Sequence, residues 1–163
     1  MEKFELKKGM SRNEIFEYKI GIYKNKEWKL TQESLFSNEL EKHLEQLFND
    51  LNRPVEKILR EFSIQGGRLD FLLVHPNKQY TIIEVKYSRG HSNDESRCSN
   101  AVGQLFNYKT TLCRMYDVPK ENVNLMIVNN QEFFSVLDNI LFNELKIEYL
   151  VFGDKGVKYY GIE

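Results

Sequence analysis

The chain holds only two cysteines, three prolines and one tryptophan among its 163 residues. Cys98 and Cys113 are too few for a disulfide scaffold and have no metal-type spacing, so reduced thiols are expected. No apolar run comes near the roughly twenty residues that a membrane helix requires, and no membrane association is expected. A signal-like segment is also missing from the start, where Met1 leads into Glu2, Lys3, Glu5, Lys7 and Lys8; a cytoplasmic location is expected. Positive charge is not in surplus. A formal net charge of -1 withholds the broad basic footprint of a general phosphate binder, although a protein can confine its cations to one groove. Repeats, low-complexity stretches and linkers are absent too. One domain over 1–163 is therefore expected, with 1–30 as an N-terminal extension and hairpin, about 36–152 as the core and 153–163 as a closing strand.

What the chain does contain is an acid-bearing hairpin. Gly66-Gly67-Arg68-Leu69-Asp70-Phe71-Leu72-Leu73-Val74 and Tyr80-Thr81-Ile82-Ile83-Glu84-Val85-Lys86 are apolar runs joined by the turn-prone His75-Pro76-Asn77-Lys78. Asp70 and Glu84 interrupt them where apolar residues belong. A carboxylate buried without a partner costs enough that it protonates, so each needs a cation, donors or a metal. Alternation along a strand puts Glu84 and Lys86 on one face and Val85 on the other. Two carboxylates with an ammonium alongside suit a divalent-ion site, the lysine standing by a water that the metal acidifies. The ordinary alternatives are that Asp70 caps the turn after Gly66-Gly67 and that Glu84 pairs with Lys86 on a solvated edge.

Asp70, followed fourteen positions later by Glu84-Val85-Lys86, resembles the D…ExK core of the PD-(D/E)XK nuclease superfamily, with Arg68-Leu69-Asp70 where the nominal Pro-Asp stands. A second motif follows. The helix predicted from Asn100 to about Tyr116 has Ala101, Leu105, Tyr108 and Leu112 as its buried stripe, with Gln104 one turn before Tyr108. Gln104-Leu105-Phe106-Asn107-Tyr108 begins eighteen residues after Lys86 and resembles the QxxxY helix of RecB-type and lambda-exonuclease-like branches. The resemblance spans roughly Glu39 to Val128. It implies an α/β, restriction-endonuclease-like fold, a central mixed sheet flanked by helices. It also implies a metal-dependent endo- or exonuclease that hydrolyses phosphodiester bonds, with DNA as the expected partner. By that likeness Asp70, Glu84 and the Val85 carbonyl hold Mg²⁺ or Mn²⁺, Lys86 orients or deprotonates a water, and Gln104 lies near the scissile phosphate. A glutamate on the first helix often supports such a site, and Glu41 matches that position best, ahead of Glu39 and Glu45. The rivals are an RNA-directed nuclease and a catalytically silent module that binds nucleic acid or protein.

The remaining segments frame this centre. Residues 14–30 alternate as a two-stranded hairpin. Ser37 or Asn38 is expected to cap a helix that runs to about Leu51, with Leu40, Leu44, Leu47 and Leu51 on one stripe. Val55 to Gln65 fits helical and strand spacing alike; a strand from about Ile58 is preferred because it must feed the Gly66-Gly67 break. Those glycines supply a bulge or a close backbone approach. Tyr87 to Ser99 reads as a polar loop that brings Arg89 and Arg97 near substrate phosphates. Arg68, Tyr108 and Lys109 complete the expected substrate contacts, whereas His91 receives no catalytic role. Strands follow at Asn122–Asn129, Ile147–Phe152 and Val157–Ile162, with a helix at Gln131–Leu145. A domain this small is expected to gain reach as a homodimer or homotetramer.

Overall fold

A computed structural model describes residues 16–18, 33–88, 94–131, 142–153 and 156–161. The elements run β1 (Phe16–Tyr18), α1 (Glu33–Asp50), β2 (Lys57–Ile64), β3 (Gly67–His75), β4 (Gln79–Lys86), α2 (Asp94–Tyr116), β5 (Val123–Asn129), β6 (Ile147–Gly153) and β7 (Gly156–Tyr160). The strands form one mixed sheet in the order β1-β7-β6-β5-β4-β3-β2. Its centre, β4-β5-β6, is parallel, and the flanking pairs are antiparallel. This is the α/β fold with a mixed, helix-flanked sheet that the sequence implies.

Alternation sets the layers. Phe71, Leu73, Ile83, Val85, Met126 and Val128 project to one face, where Phe36, Leu40, Leu44 and Phe48 of α1 cover them. Leu72, Ile82, Leu125 and Ile127 project to the other, under Ala101, Leu105 and Leu112 of α2. Central strands covered on both sides must be apolar throughout, and β4, β5 and β6 are almost continuously buried. Any polar residue kept in them therefore stands out. Among the described residues no helix is long and apolar enough to cross a membrane.

Several boundaries differ from the sequence expectation. Helix α1 begins at Glu33, ahead of the expected caps Ser37 and Asn38. The cause is tertiary: Phe36 is fully buried against Phe152 and Tyr87, which draws an extra turn into the helix. Asn38 instead accepts a hydrogen bond from Arg60 at 2.6 Å. Helix α2 begins at Asp94, so part of the expected 87–99 loop is helical. Asp94 and Glu95 are acids of the kind that favour a helix N-terminus, although their composition reads as loop. The 75–78 turn is built with left-handed backbone at Asn77 (φ 62) and Lys78 (φ 56). Of the expected N-terminal hairpin only Phe16–Tyr18 is described, as an edge strand on β7. Of the expected 131–145 helix, 142–144 are helical and 132–141 lie outside the described residues.

Candidate active site

The β3–β4 ladder stops at the pair Phe71 and Ile83. The amide that would next face β3, that of Val85, donates instead to the Asp70 carboxylate, with N to Oδ2 at 2.7 Å. Asp70 thus takes over from the backbone at the point where the strands part, which holds its side chain against the end of β4. Glu84 shares the face of Ile82, toward α2, beside the Asp70 carboxyl. Lys86, two residues on, brings Nζ to 3.7 Å from Glu84 Oε1. The three side chains therefore meet on the α2 side of the sheet, at the C-terminal end of β4.

The electrostatics are unbalanced. Burial, and then the neighbouring Asp70 carboxyl, pushes Glu84 up from the ordinary 4.5 to about 8, against the pull of Lys86. Glu84 Oε2 is buried with no hydrogen-bond partner. An unmet, desolvated carboxylate oxygen beside a second carboxylate is what a divalent cation satisfies, so these residues fit a metal. Among the described residues no three His, Cys, Asp or Glu side chains cluster around one point. The donors at hand are thus the two carboxylates, with the Val85 carbonyl next to Glu84 in sequence.

Helix α2 is fixed over this corner by Tyr108. A Cβ on Gly67 would stand 2.7 Å from Tyr108 Cε1 and 3.2 Å from its hydroxyl, so only glycine admits the ring there. Gly66, at φ 85, makes the turn into β3. Burial, and then the Glu84 and Asp70 carboxyls, hold the Tyr108 hydroxyl above its ordinary range. Gln104, one turn earlier on α2, is exposed, and its side chain makes no hydrogen bond among the described residues.

Other expected contributors lie elsewhere. Glu41 sits on α1, over the opposite face of β4, and pairs with Arg60 at 3.1 Å. Lys109 is half-buried and lines a cavity at the far end of the sheet. Arg68 is exposed beside the site, Arg97 falls in the first turn of α2, and Arg89 and His91 lie outside the described residues.

One residue at the site was not anticipated. Asn129 neighbours Lys86 in the β4–β5 pairing and shares its face. It is fully buried; Oδ1 accepts from Ser88 Oγ at 3.1 Å and the Gln131 amide at 3.4 Å, while Nδ2 has no partner. The signal available in the sequence was the polar pair Asn129-Asn130 ending an apolar strand, at the carboxyl edge where α/β sheets bind ligands.

Residues 39–134 match the model of a family described as PD-(D/E)XK nuclease superfamily. No curated protein matches the chain. Among solved structures it is similar to a repair endonuclease from Pyrococcus abyssi, with TM-score 0.53 and 18% identity over 78% of this chain and 49% of that one. It is also similar to EndoMS in a complex with double-stranded DNA, with TM-score 0.51 and 19% identity over 80% of this chain and 49% of that one. The chain thus spans about half the length of each.

Proposed function

The chain belongs to the PD-(D/E)XK nuclease superfamily, and from that premise we propose that it is a metal-dependent nuclease hydrolysing phosphodiester bonds in DNA. The observation that carries the proposal is the buried Glu84 Oε2 left without a partner between Asp70 and Lys86. Asp70, Glu84 and the Val85 carbonyl are the residues that would hold Mg²⁺ or Mn²⁺. Such an ion supplies Lewis acidity toward a phosphoryl oxygen and toward water. Lys86, held near Glu84 and only partly exposed, stabilises growing negative charge and orients the attacking water as an ammonium, or accepts the water's proton as the neutral amine. Tyr108 keeps α2 seated over the pair, and Gln104 on the same helix contacts substrate or water. DNA is assigned as substrate because it is the ligand in the EndoMS complex. A dimer or tetramer, read by analytical ultracentrifugation, would extend the reach of so small a domain.

The test is cleavage of labelled single-stranded, double-stranded and branched DNA and RNA, with Mg²⁺, Mn²⁺ or chelator, by wild type, Asp70→Ala and Lys86→Ala. Metal-dependent cleavage of DNA by wild type alone is expected. Cleavage of RNA only would move the assignment to an RNA-directed nuclease. Binding without cleavage on every substrate would leave a silent interaction module, and equal activity in all three proteins would reject this site.

A further inference from the structure

The cations of this nearly neutral chain gather away from the carboxylate pair. A cavity of about 450 Å³ opens at the other end of the central strands, lined by Arg53, Lys109, Lys120 and Lys146 against Glu121 and Glu148. Its volume lies within the range of small-ligand sites, roughly 300–1,000 Å³. The acid side of this balance is partly closed, because Glu148 already receives Arg53 Nη2 at 2.8 and 2.9 Å and the Tyr159 hydroxyl at 2.8 Å. None of the three lysines stands within ion-pair distance of a carboxylate among the described residues.

Lys109 is the informative one. It is half-buried on α2, and burial, with Lys120 nearby, lowers its pKa against the smaller opposing effects of Cys113 and Glu121. A partly desolvated ammonium facing another ammonium is a cost to the free protein that a bound anion removes. We propose that this cavity is an anion site that takes a phosphate group, separate from the carboxylate pair. Several lysines around one opening suit phosphate, whose oxygens accept from more than one donor at once.

Two sources could supply that phosphate. One is a free anion such as pyrophosphate or the phosphate chain of a nucleotide. The other is the backbone of a nucleic acid engaged at the carboxylate end, and this source rests on the nuclease reading. The cavity reaches Val123 and Asn124, which lie beside Tyr80 and Thr81 of β4. From there to Glu84 and Lys86 is roughly 10–20 Å at about 3.3 Å per strand residue. A duplex rising about 3.4 Å per base pair spans that interval in roughly three to six steps.

The experiment uses the full chain in chelator, so that binding is read without cleavage. Pyrophosphate is titrated calorimetrically, and a fluorescein-labelled duplex is followed by anisotropy across a salt series. Wild type is compared with Lys109→Gln/Lys120→Gln and with Lys57→Gln/Arg114→Gln, which removes the same charge from exposed positions outside the cavity. A tenfold or greater loss of pyrophosphate affinity in the cavity variant alone supports the proposal with a free anion as ligand. A fall of about two in the log–log salt slope for the duplex, in the cavity variant alone, supports it with backbone as ligand. Equal behaviour of the two variants with both ligands overturns it. Selective pyrophosphate binding by a protein that cleaves nothing would support this site while removing the nuclease reading.

Discussion

Glu84 and Glu148 are two glutamates on central strands, equally buried at 6% and 5% exposure, and they are provided for in opposite ways. Both oxygens of Glu148 receive donors, from Arg53 and Tyr159. One oxygen of Glu84 stands 3.7 Å from Lys86 and the other has no partner. The fold itself compensates the desolvation of the first acid and leaves that of the second unmet among the described residues. Sequence position alone does not separate them, since each interrupts an apolar strand. Their surroundings do: at one end of the sheet the ion pair is closed, at the other it is incomplete.

The contrast breaks most visibly in catalysis. Asp70→Ala and Lys86→Ala should each lower single-turnover cleavage by about a thousandfold or more, given what charge stabilisation and metal activation contribute. Retention of activity within tenfold in either variant would mean that the incomplete end is not the reactive one.

A pH series sharpens the comparison next. Below pH 4.5 Glu84 is protonated in folded and unfolded chains alike. Between 4.5 and about 8 the unfolded chain ionises while folded Glu84 keeps its proton. Metal-free protein should therefore lose stability as pH rises through this window, by about 1.4 kcal/mol per pH unit from this residue. Mg²⁺ should restore it at pH 8, and Glu84→Gln should remove both the slope and the response. Urea denaturation read as wild type minus Glu84→Gln isolates the effect from His43 and His75. Burial lowers both histidines, so their contribution is lost as pH falls and has the opposite sign.

At the closed end, Arg53→Ala strands Glu148 and should cost about 3 kcal/mol in urea unfolding. The apolar double replacement Arg53→Met/Glu148→Leu should recover most of that loss. If Arg53→Ala is silent in stability, the closed pair is not structural and the distinction between the two glutamates fails. The smallest expected effect lies at the seat of α2: Gly67→Ala should cost about 1–3 kcal/mol through its clash with Tyr108. The pair Gly67→Ala/Tyr108→Ala should be strongly non-additive in a double-mutant cycle.

The hairpin that carries the acids was readable from the chain because two signals coincide in it, apolar alternation and charges placed against that alternation. The mixed sheet followed from the family resemblance that this hairpin carries, and both helices from their apolar stripes. The first turns of α1 and α2 were not, because Glu33 to Asn38 and Asp94 to Ser99 are polar in composition and their helicity is decided by packing or by end charges. A close approach at Gly66-Gly67 was foreseeable, but its partner Tyr108 lies forty-one residues past Gly67 and no local rule connects them. Glu41 was singled out by the family resemblance, yet nothing in the helix itself says that Arg60 of β2 is the cation that meets it. The cationic cavity was invisible for a different reason. Arg53, Lys109, Lys120 and Lys146 come from four separate segments, and a total charge of -1 averages them away.

The threading of β4 between β3 and β5 has a last implication. Ile83 and Val85 point into one half of the core while Glu84 and Lys86 point out of the other, so sliding this strand by a single residue would exchange them. The misplaced chain would sink a lysine and an acid beneath α1 and turn two aliphatic side chains toward the opening, losing several kcal/mol of apolar burial. Whatever assembles the interior correctly has, in the same act, aimed Glu84 and Lys86, and an error in one is an error in both.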